Sequence, residues 1–588
     1  MWVDSICINQ KDTTERNQQV EIMGSIYSGA KEVFCWLSTC ADVENEGRRE
    51  PSPAGILAIE EALSTIWDGD LSDPGLLQAC LGAQKLPARK QHLQNDGRLD
   101  EINTTASQMA ALGLIHLVAK AQGERHLHEL PFFEEHMDSK FRVANEFLPA
   151  FQVLKKLAED PWWSRAWVIQ ESILPAKVSM VYHDIIMPIE LLANFSIAVG
   201  GHIEGCCLDL WHSLPEDQVQ ALRMLVVNVH KIDRFRRTRG QLTGKDLLRV
   251  LWRFRDQKAT NPRDKVYAFL GLIGDRSDIG PLVPSYTSSI LQVYLEATVA
   301  LLETGSLRVL GGHIRPHPDS GLPSWVQDWA TPHQTIEDTS EQTRLFEAWE
   351  CYRASRDESV VFRRCGDSAL AIDGIGVDTV SAVSSTTWGD GARKSVVDMR
   401  DTFVEWEKLA GREHGSNKPY YFNGERWQDA FCFTLSTDLI WFDLDIDQKT
   451  WLGPPYESGF QRASVWRPQR VRDWWCATKY ETGPISWQDW NRHTHSVSMR
   501  MTKSKRFFLT QEGKMGLGPP TLSPGDRVYI LRGGNMPFLL RSSEAREGGS
   551  QPPPDPRYQL LGDCYIHGIM NGEALGGTAG KWETTMLY

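Results

Sequence analysis

The chain has 588 residues, too many for one hydrophobic core, so about two or three domains are expected. Hydrophobic residues at 41% and charged residues at 24% exclude wholesale disorder, and a formal net charge of -13 argues against a dedicated nucleic-acid binder, whose phosphate contacts need a basic field. The 11 cysteines are scattered with no C-x-x-C, no apolar stretch is long enough to span a bilayer, and the N-terminus lacks a signal pattern. Those features fit an intracellular, cytoplasmic protein with reduced thiols.

The first forty residues read as one β-α-β unit. "MWVDSI" is an apolar run suited to a buried strand, and "CINQKDTTE" is a polar loop. Asp12 and Glu15 have capping-box spacing, with Thr13 or Thr14 as alternative caps. The helix that follows puts Val20, Met23, Ile26 and Tyr27 on one face, and Gly29 is a plausible stop. "EVFCWLS" returns as a second strand. A helical crossover of this length implies a parallel sheet, buried on both faces.

From Thr39 to Glu146 the pattern loosens, and the segment is expected to be an insertion in the first domain. "QNDGRLDEINTTASQ" is polar, and "MAALGLIHLVAKA" is expected to be a helix. The domain resumes with a helix through Leu154 and Leu157, then Asp160 as an N-cap with Pro161 at the first helical position. A second helix is expected to carry Arg165, Trp167, Gln170 and Glu171, ending at Pro175 before the strand "KVSMVYH". This α/β domain spans about residues 1–185, a mainly helical region 186–340, and a β-rich domain 341–588 with a Trp-rich insertion near 395–500. The 22 tryptophans are expected in rigid cores and interfaces.

Several local signals have bland readings. The basic run "RFRRTR" at 234–239 is expected to be a solvated helix face. The pairs "HLH" at 126–128 and "HTH" at 493–495 have no evident third ligand, the adjacent Cys206 and Cys207 fit no zinc spacing, and no metal site is expected. "GKMGLGPP" is read as a turn. Cys7, with no histidine nearby in sequence, is read as a small buried hydrophobe.

"MWVDSICINQ", "ERNQQVEIMGSIYSGAKEVFCWL" and "RAWVIQES" resemble conserved blocks of the fungal heterokaryon incompatibility (HET) domain. "NPRDKVYAFLGL", "RFFLTQEGKMGLGPP" and "YQLLGDCYIHGIMNGEA" resemble the sequence that usually follows it. In the family an upstream strand and turn of the type Y-x-A-L-S-Y-x-W-G is usual. This sequence lacks it, so "MWVDSI" is expected to be short of a pairing strand.

The resemblance implies a role in fungal allorecognition, with programmed cell death on fusion of unlike individuals. It also implies a TIR-like fold, a doubly wound α/β module that in some proteins hydrolyses NAD and in others only assembles. Cleavage of the nicotinamide–ribose bond passes through an oxocarbenium-like state with a cationic leaving group, so one carboxylate and an aromatic wall could suffice. By that analogy Glu171 is the candidate carboxylate, with Trp167 one turn before it. Asp4 stands near the carboxyl end of its strand, and Asn9 and Gln10 in the following loop suit a ribose or phosphate. Alternatively, Arg165 and Glu171 belong to a structural ion-pair network, and Asn9 and Gln10 only satisfy loop backbone. The competing functions are a non-catalytic module that self-associates or binds a protein partner, and an inactive truncated paralogue.

Overall fold

The computed structural model describes residues 7–9, 11–37, 57–82, 99–121, 125–136, 140–182, 185–204, 206–312, 320–331, 348–366, 368–389, 395–414, 421–441, 460–466, 468–480, 497–542, 557–576 and 582–588. They form two compact units, Met1–Leu242 with Gln257–Asp275 and Trp451–Pro454, and Thr243–Asp256 with Arg276–Thr450 and Pro455–Tyr588. "MWVDSI" lies outside the described residues.

In the first unit, helix α1 (Thr13–Gly29) starts where Asp12 accepts hydrogen bonds from the amides of Thr14 and Glu15 at 2.9 and 3.1 Å. Asp12 is therefore the cap. Glu15 does not close a capping box with it but accepts from the Asn9 amide at 3.0 Å. Val20, Met23 and Tyr27 are buried as the periodicity requires. Strands β1 (Val33–Leu37) and β2 (Leu57–Ala58) follow, then α2 (Leu99–Ala121) and the hairpin β3 (Phe133–His136) and β4 (Lys140–Val143). Helix α2 begins inside the polar run and buries Ala110, Leu114, Ile115 and Leu117. Helices α3 (Leu148–Glu159) and α4 (Val168–Ile173) lead to β5 (Val178–Tyr182) and β6 (Ile185–Pro188). Helices α5 (Ile189–Glu204), α6 (Glu216–Arg237) and α7 (Asp264–Leu270) complete the unit.

Sheet order is β1-β5-β6-β2. β1 pairs with β5 and β2 with β6 in parallel. β5 and β6 are antiparallel, so the sheet is mixed rather than purely parallel. Only two residues separate β5 from β6, and a connection that short can reverse the chain but cannot cross over. Nor is β1 buried on both faces. Cys35 and Leu37 point inward, while Phe34 and Trp36 are 46% and 48% exposed.

The second unit contains α8 (Ile290–Glu303), capped by Ser289, then β7 (Phe362–Cys365), β8 (Ala369–Val383), α9 (Val396–His414) and α10 (Trp427–Leu435). The hairpin β9 (Leu439–Trp441) and β10 (Phe460–Arg462) and helix α11 (Pro468–Tyr480) come next. The chain then runs through β11 (Arg506–Thr510), β12 (Met515–Gly518), β13 (Arg527–Leu531), β14 (Phe538–Ser542), β15 (Arg557–Asp563), β16 (Tyr565–Ile566) and β17 (Glu583–Leu587). Because β13 pairs with both β14 and β8, the path β13-β14-β15-β17-β8 closes on itself as a barrel. The 15-residue β8 then continues to pair β11. Val380, Phe508, Val528, Leu539 and Ile566 form the core.

"GKMGLGPP" holds a strand, not only a turn: residues 515–518 pair with both β11 and β16. A Cβ on Gly516 would stand 2.4 Å from the Phe508 ring, so this strand needs glycine for packing. Trp406 stacks on Phe507 at 5.9 Å and Phe403 meets Trp474 and Trp475, the core use expected of tryptophan.

Candidate functional site

The segment "PWWSRAWVIQESI" is built from its caps inward. Asp160 accepts from the Trp162 amide at 2.8 Å and starts a short 3-10 turn at Pro161–Ser164. Arg165 is extended, and its carbonyl accepts from the buried Gln257 amide group at 3.2 Å. Only then does α4 begin, shorter than the periodicity implied, with Trp167 as its N-cap. The Glu171 amide donates to the Trp167 carbonyl at 3.5 Å, so the two residues are one helical turn apart, as expected.

Burial anchors this turn tightly. Gln170 is wholly buried and its Nε2 donates to the Ala268 carbonyl on α7 at 2.9 Å. Arg236, from the run read as a solvated face, is in fact 4% exposed. It donates to the carbonyls of Ser172 and Pro175 at 2.5 and 3.2 Å and to Glu190 at 2.7 Å, satisfying the orphan acceptors at the end of α4. Its neighbour Arg237 keeps the expected surface role, paired with Asp233.

Trp167, half-buried, donates its indole N–H to the buried Asp264 at 3.3 Å. The Arg16 guanidinium lies 3.8 Å from the same carboxylate. Glu171 is half-buried beside β1: burial first, then the Glu171 charge, push the Cys35 thiol well above its ordinary range. The site thus brings Glu171 and Trp167 together and adds Arg16 and Asp264, which sequence reading missed. Asp264 belongs to "NPRDKVYAFL", nearly 100 residues downstream, where only the resemblance hinted at importance.

Other expected residues fall elsewhere. Arg165 is exposed and, among the described residues, forms no ion pair. Asn9 is exposed and accepts from the Lys11 amide at 3.2 Å, the loop-satisfying role. Cys7 is exposed, not buried. Asp4 and Gln10 lie outside the described residues, as does "HTH". "HLH" does acquire partners: His126, His202, Cys206 and Cys207 offer ligand atoms that all lie within 4.8 Å of one another.

The second unit holds a separate buried hydrogen-bonded chain. Glu425 meets His567 Nε2 at 2.8 Å, and His567 Nδ1 meets the Tyr565 hydroxyl at 2.9 Å. Burial opposes ionisation of Glu425, but the bond and charge of His567, with Asn423 and Arg472, outweigh it and hold the carboxyl below its usual range.

Residues 1–171 match the family model described as Heterokaryon incompatibility protein (HET). The chain carries a HET domain. Residues 487–583 match the Het-6 beta-barrel domain. The HET-domain chain is also similar to the protein named "Heterokaryon incompatibility protein 6, OR allele" from Neurospora crassa, at 23% identity over 97% of this chain and 81% of that protein. No solved structure matches. Among the described residues, no helix is long and apolar enough to cross a membrane. The Het-6 barrel match is narrower than the closed ring, whose longest strand, β8, precedes it.

Proposed function

We propose that this HET-domain chain acts in fungal allorecognition, signalling programmed cell death when unlike individuals fuse, through cleavage of NAD at the nicotinamide–ribose bond. The similarity to the Neurospora crassa incompatibility protein across nearly the whole chain supports the biological role. The observation that carries the chemistry is the placement of Glu171 one turn after Trp167 on a helix anchored at Gln170 and Ser172. A carboxylate held there would stabilise the developing oxocarbenium, while the indole walls the departing nicotinamide. No general acid is needed, because nicotinamide departs as a neutral base; water then adds to the ribose carbon and releases a proton, which completes the hydrolysis. A TIR-like reading of the first unit draws support from the parallel β1–β5 pair with helices between them in sequence.

Purified full-length protein should consume NAD, and Glu171→Gln should reduce turnover by at least about 100-fold, with KM little changed. Folded protein of both forms with no turnover above buffer would overturn the catalytic reading. A second reading has its own observation. Phe34 and Trp36, with ring centroids 6.2 Å apart, are exposed on the outer strand of the described sheet. That patch favours assembly with another protein chain, and a Phe34→Ser/Trp36→Ser variant that loses self-association in sedimentation would support it.

A further inference from the structure

We propose that His126, His202, Cys206 and Cys207 form a structural zinc site that ties the end of α5 to the turn following α2. The four come from three places in the chain. His126 precedes the 3-10 turn Leu127–Glu129, His202 lies in the last turn of α5, and Cys206 and Cys207 lead into the short helix Leu208–Ser213.

The donor atoms all lie within 4.8 Å of one another, close to the spacing a tetrahedral ion would draw them into. His202 Nδ1 is 3.1 Å from Cys206 Sγ and 3.7 Å from Cys207 Sγ. The two sulfurs are 3.9 Å apart, and Cys207 Sγ is 3.9 Å from His126 Nδ1. Zinc bound at ~2.3 Å to sulfur and ~2.0 Å to nitrogen requires edges of roughly 3.3–3.8 Å between its ligands. Adjacent cysteines rarely face one ion in extended chain, where side chains alternate. Here Cys207 has left the extended region, at φ -112 and ψ 28, as N-cap of the following helix, and both sulfurs turn the same way.

The surroundings favour a metal over the bare side chains. Cys207 and His202 are 2% and 5% exposed, so an ion held between them would be shielded from water. His128 stacks on His126 with centroids 5.2 Å apart, and its own Nδ1 lies 3.4 Å from Cys207 Sγ, a further imidazole at the rim of the site. Two thiolates and two imidazoles select zinc over the hard cations magnesium and calcium. Four protein ligands leave no position open for water, so the role is structural. A sulfur separation of 3.9 Å also rules out a disulfide between the two cysteines in this state.

The test uses full-length protein purified without chelator. We expect about one zinc ion per chain by mass spectrometry of metals, and X-ray absorption showing both sulfur and nitrogen donors. Replacement by Co2+ should give the intense visible bands of tetrahedral cobalt with a thiolate charge-transfer band. Cys206→Ser/Cys207→Ser should lose the metal, while Cys476→Ser, at an exposed thiol remote in sequence, should keep it. If the double variant does not fold, the cobalt spectrum of the unaltered chain decides alone. Folded wild-type protein with no bound metal and no cobalt–thiolate band would overturn the proposal. So would full zinc retention in the double variant, or a sulfur pair found oxidised in protein purified under reducing conditions.

Discussion

Four hydrogen-bond acceptors converge on the Arg236 guanidinium, three of them backbone carbonyls in the segment after Glu171. In sequence it is one of four arginines in a basic run, and nothing in that run tells the inward residue from the outward ones; the packed face of α6 does. The His567–Glu425 pair makes a sharper case, because its charge state can be read in solution. Glu425 is held below the ordinary carboxylate range when folded, so the stability it contributes is complete above the unfolded value, about pH 4.3, and is lost as pH falls through the folded one. Glu425→Gln should therefore be less stable than wild type near neutrality. The gap should close as pH drops below about 4.3, which urea titrations at several pH values would show. A gap that stays constant would mean the pair contributes nothing through ionisation.

At the scale of elements, α1 meets the end of α7 through glycines. A Cβ built on Gly24 would lie 2.8 Å from the Gly271 Cα, a backbone atom that cannot swing aside. Gly24→Ala should cost about 1–3 kcal/mol despite its better helix propensity, seen as a fall in urea midpoint with unchanged slope. How far such elements could be read from sequence depended on how local their causes are. Asp12 and Gly29 act on their immediate neighbours and bound α1 where expected, whereas Asp160 and Pro161 start a 3-10 turn and the expected helix begins only at Val168. The strand at Met515–Gly518 was hidden because its glycines answer to Phe508 and Tyr565, not to their neighbours in sequence. The same distinction governs the sites. Trp167 and Glu171 sit one helical turn apart and were legible; Asp264 and the His126–Cys207 contact depend on chain returns of roughly 80 to 100 residues.

For the molecule as a whole, the HET match ends at residue 171, yet the partners of Gln170 and Trp167 are Ala268 and Asp264. A fragment cut at residue 171 lacks α7 and also β5, the partner of β1. That fragment should express as insoluble or unfolded chain, whereas one running to residue 275 should give a cooperative thermal transition by circular dichroism. A well-folded 1–171 fragment would show that α7 is dispensable.

The barrel imposes an order in time. β8 finds its neighbour β17 across about 200 residues of sequence, through pairings such as Gly374 with Glu583. A ribosome adding ~5–20 residues per second takes roughly 10 to 40 seconds to cover that distance. Throughout that interval β8, the longest strand among the described residues, waits with one side unmatched. Closure is therefore a late event of synthesis, and this half of the chain is the part most in need of a chaperone's shelter while it is being made.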